Sequence, residues 1–416
     1  MVPSIRPVRA FLEPRHVELA ERIGELVSQE LAGRPEPADD AEARRQAREI
    51  LSRLGAGGWY APIAEQDFRA CCLIREALAA ASPLADAVFA LQTLGGTPLL
   101  LAGNEALRDR WLPGLLEGTL MAAFAMTEPE AGSDVASLRM TARRDGNEYV
   151  LSGRKTLISN AGIADFYVTF ATTDPDDGRR GITCFVVPAD APGLRFVKAQ
   201  VLSAPHPLGE IELDGCRVAA SDRLGAEGEG FGIGILTLER LRPTVGAAAC
   251  GMAARALREA VRHASRREQF GRPLARFQIV QEKLARMATE LAAARLLVYR
   301  AAWETDAGAD RTATEASMAK AFATEAAQRI VDDAVQILGG RGVLKENPLD
   351  RLYRSVRALR IYEGTTEIQR LIIAKGLIEA AAADREDDEA AGGTEPARGG
   401  TVRPQSPDGT EAGERP

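Results

Sequence analysis

The sequence predicts a multidomain α+β protein of three successive zones: an N-terminal helical domain (residues 1–120), a central β domain (121–230) and a C-terminal helical bundle (231–383). A disordered tail (384–416) follows. Three observations carry this. Apolar residues recur at helical spacing before residue 120 and again after 230. Short runs rich in β-branched and aromatic residues, separated by Gly, Pro, Asp and Asn, fill the interval between. After Ala383 the chain has Val402 as its only branched aliphatic residue and no aromatic, too little apolar surface to offset the entropy of ordering.

In the first zone Val17, Leu19, Ile23 and Leu26 share a helical face, as do Ile50, Leu51 and Leu54 before the glycine-rich stop at Gly55 to Gly58. Shorter helical pieces follow at Leu73 to Ala81, Leu84 to Leu94 and Glu105 to Leu116, broken by Pro83, Gly95, Pro98 and Pro113. Strands are expected at Tyr149 to Leu151, Phe166 to Thr172, Ile182 to Val187, Leu194 to Val197, Glu210 to Leu213 and Cys216 to Val218. In the last zone Leu284, Met287, Leu291 and Val298 line one face of a helix starting near Phe277. Met318, Phe322, Ile330, Ala334 and Ile337 line the next, which stops at Gly339-Gly340. Four or more long helices make a bundle. The α, β, α order argues against alternating βαβ units and a Rossmann domain. Gly228-Glu229-Gly230-Phe231-Gly232 fits no dinucleotide fingerprint and reads as an interdomain hinge rather than a phosphate site.

Lys and Arg number 52 against 59 Asp and Glu, a formal charge of −7, with no basic excess to draw the chain to nucleic acid. The first residues lack the apolar core of a signal peptide and no long uncharged apolar stretch follows, so neither export nor a membrane partner is expected. Cys71, Cys72, Cys184, Cys216 and Cys250 are odd in number and lack ligand spacing. A reducing, cytoplasmic compartment and no metal are expected.

Two segments carry chemistry. Met126-Thr127-Glu128-Pro129-Glu130-Ala131-Gly132-Ser133-Asp134 lies where helix gives way to strand; its small residues, amides and hydroxyl suit a planar or anionic ligand, or else form a capped turn. Arg360-Ile361-Tyr362-Glu363-Gly364-Thr365-Thr366-Glu367-Ile368-Gln369 lies between two bundle helices. Gly364 breaks the helix and Thr365 or Thr366 caps the next. Glu363 is either a general base raised by burial or an ion-pair partner of Arg357 or Arg360.

Together AMTEPEAGSD and QILGGRGVLKENPLDRLYRSVRALRIYEGTTEIQR resemble the two signatures of the acyl-CoA dehydrogenase family, in order and separation. ERLRPTVGAAACGMAARALREAV and RREQFGRPLARFQIVQEKLARMATELAAARLLVYRAAWE resemble the helices between them. The resemblance runs from roughly residue 10 to 380. It implies a helical domain, a β-barrel-like domain and a four-helix bundle, assembled as a homotetramer (or homodimer) around FAD, in fatty acid metabolism. It also implies α,β-dehydrogenation of an acyl-CoA thioester to a trans-2-enoyl-CoA, with an electron-transfer flavoprotein or another acceptor as partner. Glu363 stands where short- and medium-chain members place the base, with Gly364 leaving room for substrate. The base position of other members, immediately before Arg242, holds Leu241 here. Glu239 and Arg242 match contacts to the CoA arm, or else form an ion pair on their helix. For FAD the match points to Phe124, Met126, Thr127, Gly132 and Ser133, with Ser133 also meeting substrate. Ile158 and Ser159 follow on the β domain. Arg267, Gln269, Phe270, Gln278, Gln336, Ile337, Gly339 and Gly340 come from a neighbouring subunit, and Thr365 and Glu367 complete the site.

Departures from the family are equally specific. Leu157 replaces the tryptophan expected beside the flavin in Lys155-Thr156-Leu157-Ile158-Ser159-Asn160, the segment WYAPIAEQDF is foreshortened, and His206-Pro207-Leu208-Gly209 reads as a β-turn or as part of the CoA mouth. The alternatives that remain are an oxidase-type or acyl-carrier-protein-linked flavoenzyme, a catalytically silent acyl-CoA-binding relative, and a flavin monooxygenase on the same fold.

Overall fold

The computed structural model describes residues 3–309 and 312–392. Helices α1 (Pro14–Leu26), α2 (Asp40–Ala56), α3 (Ala61–Glu65), α4 (Phe68–Ala81), α5 (Pro83–Ala102) and α6 (Glu105–Leu116) come first. Short polar side chains start most of them. Asp39, Asp67, Ser82 and Asn104 each accept a backbone N–H of the first turn, as N-caps do.

The breaks expected at Gly95, Pro98 and Pro113 do not occur; all three lie inside helices. Gly95 is there for close approach, since a Cβ at that position would come within 2.2 Å of the Ala122 methyl. By composition α5 could cross a bilayer, yet 83% of its apolar window is buried within the fold. It is a core helix.

The middle of the chain forms β1 (Ala122–Ala125), β2 (Thr141–Asp145), β3 (Glu148–Ser159), β4 (Phe166–Thr172), β5 (Ile182–Pro188), β6 (Leu194–Ala199), β7 (Leu208–Ala219) and β8 (Arg223–Leu224). These build one mixed sheet in the order β6-β7-β3-β2-β4-β5-β8, with β1 parallel to β4. Every residue of β4 is buried, because both faces are covered. Phe166, Val168 and Phe170 join the core under the N-terminal helices, whereas Tyr167 and Ala171 join a second core with Tyr149, Phe185 and Ile211. β7 is one strand where two were expected. Asp214-Gly215 looks like a turn but is absorbed as a bulge opposite Ser152.

The last elements are α7 (Gly230–Arg266), a hairpin of β9 (Glu268–Gln269) and β10 (Arg272–Pro273), and α8 (Gln278–Asp306). They are followed by α9 (Ala313–Leu338), α10 (Pro348–Leu359) and α11 (Thr366–Gly392). The helix opening at Gly230 packs on β5, where a Cβ would meet the Thr183 carbonyl carbon at 2.5 Å, so the glycine run is a packed junction. In α7 the run Gly246 to Ala253 lets α4 approach closely; a Cβ at Gly251 would lie 2.1 Å from the Glu76 carbonyl oxygen. On α9 the expected face is buried at Ile330, Ala334 and Ile337 and half-buried at Met318, and departs only at Phe322. Phe322 is 37% exposed, while Ala319, Lys320, Ala323 and Thr324 are buried. Helix α11 extends past the expected boundary at Ala383 to Gly392; the rest of the expected tail, 393–416, lies outside the described residues.

Candidate active site

Glu363 sits on the connection between α10 and α11, with φ of 53° at Glu363 and 88° at Gly364. A left-handed glutamate costs roughly 1–2 kcal/mol, and its surroundings hold it there. The Gln369 side-chain amide donates to the carbonyls of Glu363 (3.1 Å) and Gly364 (3.0 Å), and Lys320 Nζ donates to the Gly364 carbonyl at 2.5 Å. Both side chains are fully buried. Thr365 caps α11 by accepting Ile368 N–H. Arg360, one of the alternative ion-pair partners of Glu363, is engaged by Glu325 at 2.8 Å.

The Glu363 carboxyl is held above the usual carboxylate range. Burial raises it, Arg75, Lys320 and Arg242 oppose, and Asp86 reinforces. Its Oε2 is shielded from solvent and has no hydrogen-bond partner. Arg75, itself buried, makes two bonds to Asp86 (2.7 and 3.1 Å) and one to Thr244 Oγ1 (2.9 Å). Arg242 is 4% exposed, and its Nε is likewise buried without a partner. Burial depresses its pKa against the pull of Glu239 and Glu363. Glu239 accepts a bond from Thr312, and no ion pair joins it to Arg242 among the described residues. Leu241, at the alternative base position, is buried. Arg75, Asp86 and Lys320 lie outside the motifs of the sequence, whereas Thr244 and Gln369 stand inside ERLRPTVG and EGTTEIQR with no role expected of them there. The one local signal is Lys320, a cation in an Ala-rich run whose other nearby buried polar residues, Ser317 and Thr324, are neutral.

The segment after β1 is locked to β3. Lys155 Nζ, fully buried, donates to Met126 O (3.0 Å) and to the Glu128 carboxylate (2.8 Å). Burial pushes this lysine down to about 8 despite Glu128. Glu128 also accepts the amides of Arg139 and Met140, and Thr127 O accepts that of Thr156. Phe124 packs on Phe170. The lock leaves Gly132, Ser133 and Asp134 exposed, and Asp134 makes no side-chain cap.

Opposite this segment β3 bulges between Lys155 and Ile158. Leu157, with φ of 56°, is 56% exposed, and its amide is held by the Gln200 side chain. Ile158 is buried, and Ser159 Oγ lies 2.8 Å from His206 Nε2. Burial, helped by Arg44, pushes His206 down to about 4.

Arg267, Gln269 and Phe270 lie on the β9–β10 hairpin, whose tip, Phe270-Gly271, has both φ angles positive, as a type I′ turn requires. Phe270 is 93% exposed. Gln278, Gln336, Gly339 and Gly340 are exposed or half-buried and Ile337 is buried. Arg267 and Arg341 both act on His263, so the hairpin and the segment after Gly340 converge. Thr365 is half-buried and Glu367 is exposed in the first turn of α11.

Three family models match the chain in order: acyl-CoA dehydrogenase N-terminal domain over residues 13–119, middle domain over 123–216 and C-terminal domain over 228–378. The chain is 39% identical over 381 residues to a 3-(aryl)acrylate reductase of Clostridium sporogenes, covering 89% of this chain and 100% of that one. It is 45% identical over 288 residues to an acyl-CoA dehydrogenase of Bacillus subtilis, 69% of this chain and 76% of that one. The structure of butyryl-CoA dehydrogenase from Megasphaera elsdenii matches with a TM-score of 0.83 at 32% identity, over 88% of this chain and 99% of that chain.

Proposed function

The chain belongs to the acyl-CoA dehydrogenase family, FAD-dependent oxidoreductases, and from that premise we propose that it desaturates an acyl-CoA thioester between Cα and Cβ with Glu363 as the base. The observation that carries this is the Glu363 carboxylate, its Oε2 buried, unpartnered and held at a strained turn. A carboxylate whose proton affinity is raised by burial is matched to taking a weakly acidic proton near neutral pH. FAD, when bound, supplies the acceptor for the β-hydrogen, which leaves with its electron pair. Glu363 takes the α-proton, the carbon–carbon double bond forms, and the product is the trans-2-enoyl thioester. The Glu363 amide and Ser133 orient the substrate, and Glu239 and Arg242 meet the CoA arm. The buried Nε of Arg242, without a protein partner, supports an anionic or carbonyl ligand there.

The residues fit FAD. Thr127, Ser133, Ser159 and Thr365 offer hydroxyls for the isoalloxazine edge. The exposed ring of Phe270 beside Arg267 offers a flat apolar face and a cation for the adenine and pyrophosphate. That these groups stand on an open surface supports assembly as a homotetramer or homodimer, with the hairpin of one copy covering the cofactor of another. An electron-transfer flavoprotein or another acceptor reoxidises the holoenzyme. The five cysteines, all free and buried, fit a reducing cytoplasm.

The likeness to a 3-(aryl)acrylate reductase, spanning the whole of that protein, favours one second reading: the same site run in reverse on an aryl-substituted α,β-unsaturated acid derivative. The test is the visible spectrum of anaerobic holoenzyme titrated with saturated acyl-CoA thioesters, and of reduced holoenzyme titrated with 3-arylacryl derivatives. Bleaching by a saturated thioester supports desaturation, and colour return with the arylacryl compounds alone supports the reverse reading. A yellow protein that responds to neither overturns both.

A further inference from the structure

The turn that carries Glu363 is gripped from two helices by side chains that the chemistry above leaves unused. Lys320 comes from α9 and Gln369 from the first turns of α11. Both are completely buried, and their bonds converge on two consecutive carbonyls, those of Glu363 and Gly364. A structural plug at this point needs no charge; an apolar side chain would fill the space in an Ala-rich helix without the several kcal/mol that burying an ammonium costs.

We propose that Lys320 and Gln369 are positioning residues for Glu363, a two-sided clamp in which the neutral amide fixes the left-handed turn and the ammonium both fixes it and places a cation beside the carboxylate. This rests on the reading of Glu363 as the base. The clamp explains how a glutamate stays at φ 53°: Gln369 occupies the volume that any Cβ at position 364 would need, 2.5 Å from it.

The division of labour follows from charge. Lys320 faces Glu363, Arg242, Glu325 and Glu367; burial pushes it down to about 8, Glu363 and the other carboxylates pull it up, and Arg242 pushes it further down. Glu363 in turn faces Arg75, Lys320, Arg242 and Asp86. Removing Lys320 therefore takes away one of three cations that keep the base ionised. Removing Gln369 takes away none.

The experiment compares Lys320→Met, Gln369→Leu and Glu363→Gln as FAD-loaded proteins, by single-turnover flavin reduction across pH. The infrared carboxyl band of Glu363 in the resting protein is followed alongside. Both clamp variants are expected to lose about 100-fold in reduction rate, the scale for misplacing a reacting group by about 1 Å. Only Lys320→Met moves the acidic limb, and with it the infrared titration, to higher pH. A role confined to folding moves neither. Wild-type rate and an unmoved limb in Lys320→Met overturn the clamp. If Lys320→Met does not hold FAD, Lys320→Arg and Gln369→Leu decide: Arg keeps the limb in place, Leu lowers the rate without moving it, and wild-type rates in both overturn the proposal. Glu363→Gln separates the two levels. Reduction retained there refutes the base itself, whereas reduction lost there with an unaffected Lys320→Met refutes only the clamp.

Discussion

Replacing Glu363 by glutamine changes one buried oxygen for an amide nitrogen and separates activity from stability. In the role proposed for Glu363 a general base is worth about 10²–10⁴ in rate, or about 3–5 kcal/mol of barrier, and glutamine cannot take the α-proton. The stability effect runs the other way. Burial outweighs the three cations around Glu363, so its folded pKa is raised above the unfolded value of 4.5. The folded protein then binds this proton more tightly than the unfolded chain. The stabilisation from the protonated form is complete below 4.5 and is lost as pH rises through the folded value. Above that value each unit of displacement costs about 1.4 kcal/mol. The attractions of Arg75, Lys320 and Arg242 are already in that balance, so deleting the carboxylate does not add a separate penalty for them. Glu363→Gln should therefore bind FAD, lose at least about 100-fold in single-turnover flavin reduction, and melt higher than wild type at neutral pH but equally under acid. Reduction within about tenfold of wild type, or a lower melting temperature at neutral pH, would refute the reasoning.

Three other changes test the scaffold. Gly251→Ala places a methyl 2.1 Å from the Glu76 carbonyl oxygen, so α4 and α7 must part, costing about 1–3 kcal/mol in a denaturant titration. Glu128→Gln takes away the carboxylate that pairs with buried Lys155 and accepts the Arg139 and Met140 amides, at a cost of about 3–5 kcal/mol. It should also reduce the FAD content of purified protein, because the segment from Met126 to Met140 loses its lock. His206→Gln removes a group depressed from 6.5 to about 4. The stability it contributes is full above 6.5 and lost as pH falls through about 4, so the variant should lack a loss of roughly 3 kcal/mol that wild type shows across that window.

Glu363 was legible because the residues around it in the chain state their own roles: a glycine that permits a left-handed step, threonines that cap, and apolar segments on both sides. Arg75, Asp86 and Lys320 were not, since nothing near them in sequence says what they touch; Gln369 stands inside the same segment as Glu363, but its reach back to the turn was not read from it. Arg75 reads as a helix surface residue until α4 packs beneath α5 and brings Asp86 and Thr244 to its guanidinium. Gly95 and Pro98 misled for the same reason. Their local tendency is to end a helix, but α5 continues because the missing Cβ at Gly95 is what allows β1 to lie against it, and the burial gained outweighs the propensity lost. The fold class survived such errors because it rests on hydrophobic period, summed over many residues. The cluster around Glu363 was less legible, because Arg75, Asp86 and Lys320 come from three helices and meet only when these pack; Lys320 alone is a single charge in an Ala-rich run, between Glu315 and Glu325. A lone charge in such a run carries information of its own, since burying it is costly unless a partner of opposite sign or a carbonyl meets it. By that rule Lys320 points to an anion or a carbonyl inside the bundle, and the turn of Glu363 and Gly364 is the partner that satisfies it.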